Sequence, residues 1–186
     1  MSTTVTADIV VDVPVSVAYD QWTQFESFPH FMHGVEEVRQ EGDTMTHWVV
    51  SIGGVRREFD AEITDQVADD HVAWRSIDEI THRGRVAFRP EGPERTRVDL
   101  ELEWEPESLT EKAGAALQLD DLQVRRDLDR FKEFIEDRGG ATGAWRGEVH
   151  GGVETRGDET GGTSRVTGAV PPTSDGALGQ DPDLRA

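Results

Sequence analysis

The sequence of 186 residues predicts an α+β fold, in which a curved, seven-stranded antiparallel sheet wraps around one long C-terminal helix. Segments that alternate apolar and polar residues recur between turns of hairpin length, as in antiparallel strands with one buried face. The last periodic segment has apolar residues at helical spacing instead. It is the only predicted element large enough to cover the apolar face of the sheet, so the sheet must curl around it.

The first strand is predicted over residues 3–13, where alternate residues from Val5 to Val13 are apolar. Pro14 ends this strand and suits the first turn of a helix. Two short helices or helical turns are predicted next, over residues 15–24 and 25–33, and the second is dense in large apolar side chains.

Six further strands follow, separated by short turn sequences such as Glu41-Gly42-Asp43 and Gly53-Gly54. Apolar residues alternate with charged ones most cleanly in the last strand, from Val98 to Trp104. The six predicted strands cover residues 35–40, 45–52, 55–67, 71–77, 83–89 and 96–104.

The long helix is predicted to begin at a capping box formed by Ser108 and Glu111 and to end at Arg138, with a kink or restart at Asp120-Asp121. Gly139-Gly140 ends it as a C-cap. Its second half carries one apolar stripe at intervals of four and three residues, formed by Val124, Leu128, Phe131 and Ile135.

Composition changes sharply after the helix, since twelve of the nineteen glycines lie in residues 139–186. That stretch lacks the apolar residues needed to offset the entropy of ordering a chain. We therefore predict a folded domain over residues 1–138 and a disordered, Gly-rich acidic tail over residues 139–186. Trp145 is the exception, and two interpretations remain open: it docks on the domain or a protein partner, or it is an incidental exposed side chain.

The charge of the chain argues against two classes of partner. Thirty-eight acidic residues against nineteen basic ones give a net charge of −19. Such a surface repels nucleic acids and anionic membranes. The acidity itself has two open explanations, salt adaptation or the base composition of the genome.

Other absences in the sequence narrow the class of protein further. No apolar run approaches the roughly 20 residues that span a bilayer, and the N-terminal residues lack the pattern of a secretion signal. Cysteine is absent, which excludes disulfides, thiol catalysis and zinc–thiolate sites. We therefore expect a cytoplasmic protein without membrane insertion.

Four segments and the order of elements carry a resemblance to a known superfamily. The segments are Val13–Trp22, Phe25–Met32, Trp74-Arg75-Ser76 and Phe131–Ile135. With this order of elements they resemble the START/Bet v 1-like (SRPBCC) superfamily, and within it the polyketide cyclase/dehydrase and coenzyme Q-binding-like group. The resemblance covers about residues 3–138. It implies a helix-grip fold with a cavity between sheet and C-terminal helix, and binding of a hydrophobic small molecule such as a lipid, quinone or aromatic polyketide. It carries over no catalytic residue.

The predicted architecture supports a cavity independently, because a strongly curled sheet and one helix seldom fill the space between them. Pockets of this kind are mostly apolar with a few polar groups. The alternative for each single residue is that it fills the core. The predicted lining is Trp48, Phe59, Trp74, Arg75, Ser76, Phe88, Leu100, Leu102, Leu117, Leu128 and Phe131.

Arg75 and Ser76 are the polar members of this predicted lining. An inward guanidinium at Arg75 would hold a carboxylate or quinone oxygen. Strict alternation places Arg75 opposite to Trp74, however, and outward pairing with Glu62 or Asp60 is the open alternative. Ser76 lies on the Trp74 face and is a candidate pocket hydroxyl.

Metal and cofactor sites find no support in the sequence. His30, His33 and His47 could meet, but nothing fixes a fourth ligand. His71 and His82 lie at strand ends and are expected to be solvated. No phosphate loop, dinucleotide fingerprint, nucleophile elbow or zinc-protease motif is present. No cofactor and no metal are therefore predicted.

Three functions remain open at this stage. The first is a binding module for a hydrophobic small molecule, with transport or presentation as its purpose. The second is a cyclase or dehydratase acting in the same cavity, which requires a buried titratable group with a shifted pKa. The third is an interaction or stress-related protein with a vestigial pocket, which uses Trp145 and the acidic surface.

Overall fold

A computed structural model describes residues 3–52, 55–77, 81–105 and 121–155. The elements follow the predicted order, with two short strands added after the last helix. They are β1 (Thr3–Val11), α1 (Val15–Trp22), a 3-10 helix (Phe25–His30), β2 (Val35–Gln40), β3 (Met45–Ile52), β4 (Val55–Val67), β5 (His71–Ser76), β6 (Thr81–Gly92), β7 (Arg95–Glu105), α2 (Asp121–Arg138), β8 (Glu148–His150) and β9 (Val153–Thr155).

Seven strands form a curved open sheet in the order β1-β7-β6-β5-β4-β3-β2, and every pairing is antiparallel. β8 pairs with β4, and β9 pairs with β8. The predicted α+β fold with a long C-terminal helix is confirmed, and the strand count is nine in the described residues. The predicted capping box at Ser108 and Glu111 lies outside those residues.

Strand register separates an apolar inner face from a charged outer face. Opposite residues of β1 and β7 on the inner face are apolar, such as Ala7 with Leu100 and Ile9 with Val98. On the outer face, Arg83 in β6 donates to both carboxylate oxygens of Glu103 in β7, at 2.7 and 2.8 Å. The period of two in the sequence therefore sets which residues can reach the space under α2.

Aromatic rings join the helices to the inner face of the sheet. Trp22 of α1 lies edge-to-face against Phe131 of α2, with centroids 5.1 Å apart, and against Phe28 of the 3-10 helix at 5.4 Å. Trp22 also meets Phe88 of β6 at 6.2 Å. Each buried ring contributes roughly 1.5–3 kcal/mol by leaving water, so this group fixes the position of both helices.

Helix α2 runs along the free edge of β1 and covers it. The Lys132 ammonium donates to the Val10 carbonyl at 2.8 Å, and the Asp12 backbone N–H donates to Glu136 at 2.6 Å. A long uncharged edge strand invites pairing with other chains. β1 has a single charged side chain, Asp8, so the helix supplies most of the protection of this edge.

The chain after α2 stays on the domain, and we call residues 141–155 the docked segment. The Thr142 backbone N–H donates to the buried Gln21 amide oxygen at 2.9 Å, and the Gln21 amide donates to Thr142 Oγ1 at 3.2 Å. Arg146 forms ion pairs of 2.9 Å with Asp20 and with Asp69. α1 is thereby tied to the turn that connects β4 and β5.

Hydrophobic contacts and strand pairing complete this docking. Val149 is fully buried, and Trp145 packs against the core while remaining half-buried. β4 is longer than β3, so its last residues have a free edge, where Asp65 pairs with His150 and Gln66 with Val149. The prediction of a disordered tail from residue 139 is therefore wrong for residues 139–155, because the free edge of β4 supplies partners that composition does not reveal. Residues 156–186 lie outside the described part of the chain.

A glycine in β6 allows a close approach on the inner face. Gly84 lies opposite Trp74 of β5 and Leu102 of β7. A Cβ atom at Gly84 would lie closer to the Trp74 indole than van der Waals contact allows, and 2.9 Å from Leu102 Cδ2. The missing side chain therefore lets the indole lie across the strand.

We expect truncation after residue 138 to destabilise the domain, whereas truncation after residue 155 leaves its stability nearly unchanged. The shorter chain exposes the site of Val149 and leaves Gln21 without Thr142. Each loss costs about 1–3 kcal/mol. Urea unfolding of the two truncations beside the full chain measures the difference, and equal midpoints for both would contradict the docking.

Replacing Gly84 with alanine should lower the free energy of unfolding by about 1–3 kcal/mol, since the indole of Trp74 must move. Gly140→Ala is the matched control, because a Cβ atom there meets nothing within 4 Å. Thermal melts and near-UV circular dichroism of both variants test this. An unchanged indole signal and melting temperature in Gly84→Ala would show that the approach is not close in solution.

Candidate functional site

The inner face of the sheet is covered unevenly by the described residues. At one end, where α1 and α2 pack on the sheet, Phe88 of β6 and Leu128 and Phe131 of α2 are at most 3% exposed. At the other end, Phe59 and Trp74 are only partly buried. The less covered end is therefore the candidate ligand site.

A row of rings leads from the filled end to this site. Phe28 meets Trp48 edge-to-face at 5.5 Å, and Trp48 stacks parallel to Phe59 with centroids 6.1 Å apart. Phe59 in turn meets His82 at 5.7 Å. The Trp48 indole N–H already donates to Thr46 Oγ1 at 2.8 Å, so this ring offers a ligand only apolar surface.

His82 is the polar group of the site that the sequence analysis missed. His82 precedes Gly84 by two residues on the inner face of β6, and its backbone N–H donates to Ser76 Oγ at 2.9 Å. Within the described residues, its Nδ1 atom is buried and has no hydrogen-bond partner. Burial lowers the pKa of His82 to about 4, so the imidazole is neutral at pH 7. The sequence signal for this position is the alternation of β6, which places residue 82 on the same face as Val86 and Phe88.

The arginine on the inner face is Arg57, not Arg75. Arg57 lies opposite the buried Val50 and two residues before Phe59, and its Nε atom is buried. Arg75 is on the outer face, where its guanidinium donates twice to Glu62 Oε2, at 2.8 and 3.1 Å. The prediction that Arg75 lines the interior is wrong, because alternation in β5 puts it on the face opposite to Trp74.

The other residues of the predicted lining have the following positions. Trp48, Phe88, Leu100, Leu128 and Phe131 are buried in the core, and Leu102 packs against it while partly exposed. Ser76 lies on the Trp74 face of β5 and accepts the His82 bond. Leu117 lies outside the described residues.

The remaining histidines are dispersed and do not form a metal centre. His30 stacks on Phe134 with centroids 5.8 Å apart, whereas His47 bonds Asp60 on the outer face at 2.6 Å. His71 is buried and bonds Asp65 at 2.8 Å, so the expectation that it is solvated is wrong. In the four described ranges, no three histidine or carboxylate side chains are grouped to hold a metal ion.

No helix in the described part of the chain has the length and apolarity required to span a membrane. The described helices are amphipathic or short, and α2 carries acidic and basic side chains along its outer surface.

Comparison with known proteins identifies the family of this chain. Residues 11–136 match the family described as polyketide cyclase / dehydrase and lipid transport. An uncharacterized 17.2 kDa protein from the melC2-rnhH intergenic region of Streptomyces lincolnensis is 51% identical over 142 residues, which cover 76% of this chain and 95% of that protein.

Two solved structures share the fold at low sequence identity. A START superfamily protein from Mycobacterium smegmatis has a TM-score of 0.58 at 15% identity, over 73% of this chain and 98% of that one. The Zhui aromatase/cyclase of a Streptomyces species has a TM-score of 0.59 at 14% identity, over 78% of this chain and 100% of that one. The chain thus has a START/Bet v 1-like fold, and it belongs to the polyketide cyclase/dehydrase and lipid transport family.

Proposed function

We propose that this protein binds a hydrophobic small molecule on the inner face of the sheet, at the end that α1 and α2 leave partly uncovered. The observation that carries the proposal is the partly exposed surface of Phe59 and Trp74 beside the buried Nδ1 atom of His82, which has no hydrogen-bond partner among the described residues. An apolar surface with a few polar groups is the usual composition of a small-molecule site. Lipids, quinones and aromatic polyketides all combine a large apolar surface with a few oxygen atoms, which matches such a site.

Apolar burial supplies most of the affinity in this proposal. Each Å² of apolar surface that leaves water contributes about 25 cal/mol before the costs of ordering the ligand. His82 then orients the ligand, because its buried Nδ1 atom has no hydrogen-bond partner among the described residues and gains one when a polar ligand atom approaches it. Transport or presentation of the ligand needs no further chemistry.

A second candidate function is a cyclase or dehydratase reaction in the same space. His82 favours it, since the enzyme hypothesis requires a buried titratable group with a shifted pKa, and a neutral imidazole accepts a proton from a ligand. The Zhui aromatase/cyclase shares the fold. The interaction-protein alternative is weaker, because Trp145 packs against its own domain.

The binding proposal predicts that Phe59→Leu and Gly84→Val weaken binding of 1,4-naphthoquinone roughly tenfold or more. Phe59→Leu removes ring surface, and Gly84→Val pushes the Trp74 indole into the site. Quenching of tryptophan fluorescence measures the affinity. Native mass spectrometry of protein purified from its own host tests for a co-purifying apolar molecule.

Val153→Ala is the control for this experiment, because Val153 is 63% exposed on β9, away from the inner face. The proposal fails if the control variant binds as weakly as Phe59→Leu, or if neither the probe nor a co-purifying ligand is bound by the folded wild type. Melting temperatures confirm that each variant is folded.

His82 should make stability depend on pH between about 4 and 6.5. The unfolded chain takes up a proton at His82 below pH 6.5, whereas the folded chain does so only near pH 4. Stability is therefore lost as the pH falls through this window, by up to about 3 kcal/mol. His82→Gln should remove this part of the pH dependence in urea unfolding, while His30→Gln, at an exposed position, should retain it.

The same variant separates the two candidate functions. His82→Gln can still bind an apolar molecule, so binding of 1,4-naphthoquinone that survives the substitution agrees with a binding module. If the wild type converts a poly-β-keto thioester to a cyclised or dehydrated product and His82→Gln does not, the enzyme function is supported. A pH profile as steep in His82→Gln as in the wild type would contradict the buried neutral histidine.

A further inference from the structure

A groove of about 550 Å³ lies on the outer face of the sheet, on the side away from the proposed hydrophobic site. Strands β1, β6 and β7 form it, and Arg125 of α2 reaches it beside the edge of β1. Its volume is in the range of small-molecule sites. Ala87, which is 8% exposed, lines it between Arg85 and Arg89, and its small side chain leaves a depression between two long ones.

Charges of both signs line the groove in equal number, although the chain as a whole is strongly acidic. The basic side chains are Arg85, Arg89 and Arg125, and the acidic ones are Asp8, Asp99 and Glu101. A simple anion would meet the three carboxylates, and a simple cation would meet the three guanidinium groups. A molecule that carries a positive and a negative group can place each beside residues of opposite charge, which reduces the repulsion that an ion of one sign would meet.

Two of the arginines have no partner that the described residues supply. On the same face, Arg97 bonds Asp8 at 2.6 Å and Arg83 bonds Glu103. Arg85 and Arg125 form no ion pair or hydrogen bond with any described residue. Their guanidinium groups retain the fork geometry that binds a carboxylate.

Asp99 supplies the opposite charge in the groove. Its buried Oδ2 atom forms an ion pair with Arg89 Nε at 3.3 Å, while the Asp99 side chain as a whole is 34% exposed. The exposed part of this carboxylate can accept a further hydrogen bond from a ligand. An ammonium group is the donor that carries the matching charge.

We propose that this groove is a second binding site, for a zwitterionic small molecule such as an amino acid or a short peptide. Its carboxylate is held by Arg85 and Arg125, and its ammonium group donates to the exposed part of the Asp99 carboxylate. The site is independent of the hydrophobic one, because the two lie on opposite faces of the sheet.

Titration of the full-length chain with glycylglycine, followed by amide NMR shifts, tests the proposal. N-acetylglycine, which lacks the ammonium group, and glycinamide, which lacks the carboxylate, are the matched probes. We expect saturable shifts at Arg85, Ala87 and Asp99 with glycylglycine and at least roughly tenfold weaker binding of either matched probe, which is about 1.4 kcal/mol per lost charged contact. Equal affinity for all three probes, or no saturable shift, overturns the proposal.

Variants assign the two ends of the ligand. Arg125→Gln should weaken glycylglycine roughly tenfold and leave glycinamide unchanged, whereas Asp99→Asn should weaken glycylglycine and leave N-acetylglycine unchanged. Arg126→Gln is the control, because Arg126 is the exposed neighbour on α2 that does not line the groove. An equal loss in Arg125→Gln and Arg126→Gln shows a general charge effect and overturns the proposal. Melting temperatures establish that Asp99→Asn is folded.

Discussion

The fold depends on one constraint: a long, curved sheet has an apolar inner face larger than the described helices cover. α1, the 3-10 helix and α2 bury that face around Trp22, Phe88 and Phe131. Phe59 and Trp74 remain partly exposed on the same face. Since a sheet buries its face only against another layer, the uneven cover yields at once a rigid end and an end suited to a ligand. The candidate site is therefore a consequence of the architecture and needs no separate device.

The architecture was predictable because period two and period 3.6 are strong signals over segments of this length. β4 was predicted with the bounds that it has, residues 55–67, and the apolar stripe of α2 is buried as expected. The docked segment was not predictable in the same way. β8 is three residues long and its pairing depends on the free edge of β4, a property of two distant segments together. The residue composition around Trp145 does not indicate that this edge is available for pairing.

The sequence predicted which apolar side chains face inward better than it predicted the inward polar ones. Trp48, Phe59 and Trp74 face inward as alternation requires. Arg75 was included although the same alternation placed it outside, and Arg57 and His82 were passed over although it placed them inside. The predicted strand begins at residue 83, whereas β6 already includes His82, and Arg57 lies within the predicted strand over residues 55–67. The burial that makes His82 chemically distinctive depends on its neighbours in three dimensions, which no spacing along the chain reports.

The pairing of β1 has a consequence for the order of events at the ribosome. Val5 pairs with Leu102, 97 residues later in the chain, and Gln66 pairs with Val149, 83 residues later. The pairing of β1 cannot form until β7 has been made, and the pairing of β4 with β8 needs nearly the whole domain, so β1 stays unpaired during much of synthesis. Contacts between such distant residues slow folding and expose apolar strands to other nascent chains. α2 shields the β1 edge but is made after all seven strands. The risk of aggregation is therefore greatest before α2 has left the ribosome.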